Sequence, residues 1–250
     1  MLEIRELSAG YPGNTVIDRV SLTFPKGTVT AVAGPNGCGK STLLKALAGI
    51  LPSRGDILLD GENLCALSSR QRAQRIAFLP QSRAVPEITA KRLVLHGRFP
   101  YLHYPRQYRK ADHAAAEAAM EALNISHLAD RSLASLSGGQ RQKVYIAMAL
   151  AQDTAAVLLD EPTTFLDIAH QLQLMELARS LAARGKTVVL VLHDLTLALE
   201  HADRLVLLQK GAIRAGGTAE EVFRSGCLRE VFGVDVGRTK IHERWKYFYN

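Results

Sequence analysis

GPNGCGKST, Gly34–Thr42, matches the pattern G-x-x-x-x-G-K-[ST] of a phosphate-binding loop. Its glycines let backbone N–H groups converge on phosphates without Cβ clashes. Lys40 supplies a point charge for β- and γ-phosphates, and Ser41 offers a hydroxyl to Mg²⁺. The flanks suit that reading. TVTAVAG before it is an apolar run suited to a buried strand, and KSTLLKALAGIL after it carries Leu43, Leu44, Leu47 and Leu51 at helical spacing. Strand, glycine loop and helix in that order predict an α/β nucleotide-binding core.

Working outward, AAVLLDEP and TVVLVLHD are almost wholly apolar, as expected of parallel strands covered on both faces. The first ends in Asp160 and Glu161. An acid at that place in a phosphate-loop enzyme holds Mg²⁺, and the second acid is the natural base for an attacking water. The second run ends at His193, which either contacts a γ-phosphate or is a satisfied structural histidine. RIAFLPQ is a further strand stopped by Pro80, and Gln81 after it either ligates Mg²⁺, orients water or simply sits in a turn. Tyr11, at the end of the opening LEIRELSAGY, either stacks on a base or is half-buried packing.

The stretches LEIRELSAGY, RVSLTFPKG and GDILLDG read as short strands around the loop. From Ile88 to Ser135 strand signals disappear, and the alanine-rich HAAAEAAMEALNI predicts a helical insertion. HQLQLMELARSLAARG is an amphipathic helix with Leu174, Leu177, Ala178 and Leu181 on one side and Gly185 as its stop. The tail after Cys227 ends in the aromatic and basic RWKYFYN, for which the sequence suggests no role.

Composition bounds the rest. With 250 residues, 47% hydrophobic and 22% charged, the chain suits one large domain with a subdomain. The net charge of +7 permits anionic partners, but basic residues are interleaved with acids rather than gathered into a groove. Cys38, Cys65 and Cys227 are far apart, which argues against a zinc site or a disulfide framework. No apolar run approaches the length of a membrane span, and the N-terminus lacks the apolar core of a signal peptide, so a membrane role is expected through a partner.

LSGGQRQK, Leu136–Lys143, is a second glycine turn before a helix-like segment, with no lysine inside it. Ser137 and the Gly138 and Gly139 amides suit an anion at a helix start, yet the charge must come from elsewhere.

Taken in order, these motifs resemble the ATPase subunit of an ATP-binding cassette (ABC) transporter, from the first strand to about Phe223. The resemblance makes Tyr11 the aromatic A-loop residue. It makes Gly34, Pro35, Asn36, Gly37, Cys38, Gly39, Lys40, Ser41 and Thr42 the Walker A loop, and Gln81 the Q-loop residue. Leu136 to Gln140 becomes the signature, with Ser137, Gly138, Gly139 and Gln140 as nucleotide contacts. Ala156 to Asp160 is Walker B with Glu161 after it, Asp167 closes the D-loop, and His193 is the switch histidine. The D-loop departs from the common pattern, with Thr164-Phe165 where many members have Ser-Ala or Asn-Ala.

The resemblance implies ATP and Mg²⁺ as cofactors. Glu161, His193 and Gln81 are then catalytic, and Ser41, Gln81 and Asp160 hold the metal. It implies an α/β P-loop NTPase core with a mainly parallel sheet, an N-terminal antiparallel β subdomain and an α-helical insertion. Residues 1–87 and 136–225 form the core with its β subdomain, 88–135 the helical subdomain and 226–250 a tail. The signature would close over the γ-phosphate on a second copy of the chain. Two transmembrane permease subunits and, indirectly, a solute-binding protein are the implied partners, at the cytoplasmic face of the inner membrane. VLHGRFPY and FLDIAHQLQLMEL resemble importers of ferric siderophores, haem and cobalamin, with ferric siderophore first. Arg98, Phe99 and Tyr101 are candidate contacts with the membrane partner, or else packing within the insertion. An exporter ATPase, or a soluble ABC ATPase acting on nucleic acid or ribosomes, is the alternative. The short insertion without heptads or CxxC pairs, and the single cassette, speak against nucleic acid and ribosomes.

Overall fold

The computed structural model describes residues 1–81, 85–242 and 244–249. The chain opens with antiparallel strands β1 (Leu2–Tyr11) and β2 (Asn14–Phe24). β3 (Val29–Ala33) then runs into the glycine loop and α1 (Lys40–Leu47). β4 (Ser53–Leu59) and β5 (Glu62–Asn63) complete a first, antiparallel sheet in the order β2-β1-β4-β5. The short α2 (Ser69–Ala73) leads to β6 (Ile76–Leu79). Next come α3 (Ala90–His96), α4 (Lys110–Ala122) and α5 (Gly138–Ala151). The chain returns to strands with β7 (Ala156–Asp160), α6 (Ile168–Ala183), β8 (Thr187–Val191) and α7 (Leu195–His201). β9 (Arg204–Gln209), β10 (Ala212–Gly217), α8 (Ala219–Arg224) and α9 (Cys227–Phe232) come after them, and a hairpin of β11 (Val236–Ile241) and β12 (Arg244–Tyr249) ends the described chain.

The second sheet has the order β10-β9-β3-β8-β7-β6, parallel from β9 to β6, with β10 antiparallel at its edge. Every residue of β3, β7 and β8 is buried. The two-residue alternation of strands explains why these runs are apolar throughout. Val157, Leu159, Val188 and Leu190 face a core built with α3 to α7, and Ala156, Leu158, Val189 and Val191 face a second core built with the antiparallel sheet and α1. Among the described residues no helix is long and apolar enough to cross a membrane.

Among the described residues, 88–135 hold helices and short 3₁₀ turns. The one strand-like feature is a bridge between Thr89 and Ser132, where the segment leaves and rejoins the rest. Backbone bonds from Ala90 N–H to Arg131 O (2.9 Å) and from Leu133 N–H to Ile88 O (3.0 Å) close this neck. The alanines of α4 let it lie close to its neighbours, with Ala116, Ala119 and Met120 buried.

Two of the candidate partner contacts turn inward. Arg98 Nε pairs with Asp112 Oδ1 at 3.0 Å, and Arg98 Nη1 donates to Ala151 O at 3.0 Å. The guanidinium lies 4.0 Å from the centroid of the Tyr101 ring, whose hydroxyl donates to Gln152 O at 2.9 Å. Phe99 stays about half exposed. Arg70 and Gln74 donate to Pro100 O, and Gln152 Nε2 donates to Ile76 O at 3.0 Å, so the segment is tied to the strand that precedes Gln81.

Burial draws the Asp112 carboxyl upward, but the Arg109 N–H, the Arg98 hydrogen bond and both arginine charges outweigh it, leaving its pKa below the ordinary value. A depressed carboxylate pKa contributes stability above the unfolded pKa, and that contribution is lost as pH falls through the folded value. Arg98→Ala is therefore expected to destabilise the chain by about 2 kcal/mol at neutral pH, and the gap to wild type should narrow below about pH 4. Urea titrations of both proteins across that range check it. A gap that does not change with pH would remove the ion pair from the explanation.

Candidate functional site at the carboxyl edge of the sheet

Ligands of parallel α/β sheets bind beyond the carboxyl ends of the strands. Here β3, β8, β7 and β6 are neighbours in that order. The segments at their carboxyl ends therefore stand side by side: the glycine loop after β3, His193 after β8, Asp160 and Glu161 at β7, and Gln81 after β6.

The loop is built by close approach. A Cβ on Gly34 would lie 2.1 Å from Leu208 O, and Gly39 adopts φ 109 as the N-cap of α1. Both positions exclude larger residues. Lys40 is 5% exposed, and its ammonium donates to Gly34 O at 2.7 Å and Pro35 O at 2.9 Å. The loop's own carbonyls thus hold the charge at the mouth of the turn. Cys38 and Thr42 are buried, Ser41 is half-buried, and Asn36 and Gly37 are exposed at the loop tip. Cys38 Sγ lies 3.9 Å from Lys40 Nζ and fills space under Gly34, a packing role. Tyr11 is 45% exposed, and its hydroxyl sits 3.4 Å from Lys45 Nζ on α1, one turn beyond Ser41.

At β7 the two acids differ sharply. Asp160 is 1% exposed, and among the described residues neither carboxylate oxygen has a partner in hydrogen-bonding geometry. Burial pushes its carboxyl above the ordinary carboxylate range. The Glu161 charge adds to the rise, while the nearby Ser41 hydroxyl, Lys45 and Lys40 pull it down. Glu161 is well connected: Gln81 Nε2 donates to Oε2 at 2.5 Å, and His193 Nε2 lies 2.5 Å from Oε1. Its backbone has φ 51, in the left-handed region where a non-glycine residue is strained. The structure therefore gathers Glu161, Gln81 and His193 into one cluster beside Asp160 and the loop.

The second glycine turn lies on another element. Ser137 is the N-cap of α5; its Oγ accepts from Gln140 N–H at 3.3 Å while Gln140 Oε1 accepts from Ser137 N–H at 3.1 Å. This capping box leaves the first-turn amides of Gly138 and Gly139 without helical partners. Among the described residues no hydrogen bond joins this turn to the phosphate loop. Phe165 covers it: a Cβ on Gly138 would meet the Phe165 side chain at 3.4 Å. Asp167 caps α6, accepting from His170 N–H at 2.9 Å. That bond, more than its pairing with the His170 ring, holds its carboxyl below the ordinary range.

One buried residue escapes a reading of the sequence. Gln142, 3% exposed on α5, donates from Nε2 to Pro162 O at 2.7 Å and so braces the turn carrying Glu161. Its only signal is a long polar side chain on a helix face otherwise lined by Tyr145, Ile146 and Ala149.

Comparison with known proteins points to the same elements. The family model described as ABC transporter matches residues 17–164. The achromobactin transport ATP-binding protein of Dickeya dadantii is 45% identical over 234 residues, covering 92% of this chain and 87% of that protein. The ferric enterobactin transport ATP-binding protein of Escherichia coli is 44% identical over 232 residues, covering 92% and 86%. Among solved structures, a metal-chelate type ABC transporter in an inward-facing conformation superposes with a TM-score of 0.84 at 31% identity, covering 100% of this chain and 96% of that one. The phosphate loop, the β7 acids and the glycine turn of α5 all fall inside the matched spans, and the chain belongs to the ABC transporter family as an ATP-binding, ATP-hydrolysing subunit.

Proposed function

We propose that this chain powers the import of ferric siderophores across the cytoplasmic membrane. The observation that carries the catalytic part is the Glu161 carboxylate, held between Gln81 and His193 at the edge of the sheet beside the phosphate loop. The choice of solute rests on the relatives that transport achromobactin and ferric enterobactin.

In this reading Lys40 and the loop amides hold the ATP phosphates, and Tyr11 stacks on the base. Glu161 takes the proton of the attacking water, and His193 steadies the γ-phosphate. The two Asp160 oxygens, without a hydrogen-bond partner among the described residues and beside a serine hydroxyl, fit a hard cation with oxygen ligands. Ser41, Asp160 and Gln81 would hold Mg²⁺, which when bound neutralises charge on the β- and γ-phosphate oxygens. Ser137, Gly138, Gly139 and Gln140 serve the nucleotide of a second copy, where Lys40 of that copy supplies the missing charge, and Asp167 lies at the seam. A symmetric pair completes both sites at once. The permease lies against the helical segment 88–135, and the pair sits on the cytoplasmic side of the membrane.

Purification from native membranes in mild detergent tests the transport reading. A hydrophobic many-span protein should copurify at equal stoichiometry, and ferric-siderophore uptake should stop when this chain is deleted. Recovery in the soluble fraction with nucleic acid or ribosomes attached would overturn it.

A further inference from the structure

α5 begins at Gly138 and carries Gln142 one turn further on. Residues four apart share a helix face, so Gly138 and Gln142 stand in one stripe. That stripe lies against the turn that follows β7. Gln142 Nε2 donates to Pro162 O at 2.7 Å, and Gly138 packs on the Phe165 side chain, where an added Cβ would stand 3.4 Å away. Gly139 lies close to Phe165 O, 3.1 Å from the place of an added Cβ. Gln142, Pro162 and Glu161 are all buried, so the hydrogen bond is made away from water. A buried carbonyl is costly to strip of its donor, which makes the bond a firm hold on the turn.

Glu161 needs such a hold. Its φ of 51 places a non-glycine residue in the left-handed region, and backbone of that kind persists only where the surroundings over-determine it. On one side, Asp160 pairs with Val191 in the parallel sheet. On the other, Pro162 has no N–H to donate, so its carbonyl is the group by which the following peptide can be gripped. Inside the turn, Thr164 N–H donates to Glu161 O at 3.3 Å and Leu166 N–H to Thr163 O at 3.1 Å. These bonds shape the turn from within, and Gln142 anchors it to another element. Gln81 and His193 hold the Glu161 carboxylate by its oxygens, while Gln142 holds the backbone next to it.

We propose that Gln142 is a positioning residue for Glu161. Its bond to Pro162 O ties the helix whose first turn serves the nucleotide of a second copy to the turn that carries this copy's own base. Seating α5 against that nucleotide and aligning Glu161 on its water are then one mechanical event. The inference rests on the reading that Glu161 is the base and that α5 serves a second copy. Catalytic geometry tolerates little displacement, since a shift of about 1 Å can cost on the order of a hundredfold in rate.

The experiment compares Gln142→Met, Gln142→Asn, Glu161→Gln and the double variant Gln142→Met with Glu161→Gln in the full chain. It measures steady-state ATP hydrolysis, dimerisation with ATP by sedimentation, and unfolding midpoints that show each variant folded at the assay temperature. Gln142→Met keeps the length of the side chain and loses the donor. It should lower kcat about tenfold with KM for ATP unchanged, and ATP should hold it as a dimer longer than the wild type. Gln142→Asn, with its amide one methylene short, is the milder variant and should move kcat in the same direction. In the Glu161→Gln background, Gln142→Met should cost nothing further in residual turnover. Wild-type kcat in both Gln142 variants, a loss carried by KM, failure of ATP to pair Gln142→Met chains while it pairs Glu161→Gln chains, or an equal loss in both backgrounds would each overturn the positioning role. Near-normal turnover in Glu161→Gln would instead sink the reading of Glu161 as base, and a Glu161→Gln chain that ATP does not pair would sink the reading of α5, whatever Gln142 does.

Discussion

Glu161→Gln is expected to lower kcat for ATP by about a thousandfold while ATP binding persists. The amide has the shape of the carboxylate and can still meet Gln81 and His193, which hold Glu161 at 2.5 Å on either side. It cannot take a proton from water. In the proposed function binding draws on other groups, namely Lys40 and the loop amides, so the two properties should separate. Phosphate release at saturating ATP and a nucleotide titration on the same sample measure both. The trapped ATP should also favour the paired form, visible by sedimentation as a dimer that the wild type holds only briefly. Near-normal turnover would remove Glu161 from the role of base.

Lys40→Ala should do the reverse and act on binding first. The ammonium is pinned by Gly34 O and Pro35 O, so it arrives at the phosphates already oriented. Charge-assisted contacts of this kind contribute about 1.5–3 kcal/mol each, and a loss of about 2.7 kcal/mol weakens ATP about a hundredfold. Titration with a fluorescent ATP analogue measures it, and a circular dichroism spectrum guards against a misfolded loop. Unchanged affinity would mean that the backbone amides alone hold the phosphates.

The parts of this site that can be read from sequence are those whose chemistry is local. Gly34 to Thr42 carries its strand, turn and helix within a short stretch. The apolar runs ending at Asp160 and His193 announce buried parallel strands because both faces of β7 and β8 are covered. The illegible parts depend on distant partners. Nothing near Arg98 in the sequence reveals that Asp112 and Ala151 O lie beneath it, so an inward ion pair reads equally as a docking contact. The tail is opaque for a similar reason. VGRTKI is a polar strand whose order comes from Arg238 stacked between Phe223 and Trp245, residues from two other elements. Gln142 gives no sign because its partner is a backbone carbonyl, which no pattern of side chains displays. Ser137 and Gln140 read as phosphate contacts, and here they also satisfy one another as a helix cap, a local arrangement that the spacing S-x-x-Q contains.

Glu161 sits at a backbone angle that glycine occupies without strain, and it places a carboxylate next to a second buried one. Glycine in its place would relieve both the left-handed backbone and the like-charge repulsion. The residue proposed as the base is thus also among the least comfortable in the fold. With Glu161 as the proposed base, drift toward a sturdier protein at this position would pass through an inactive one.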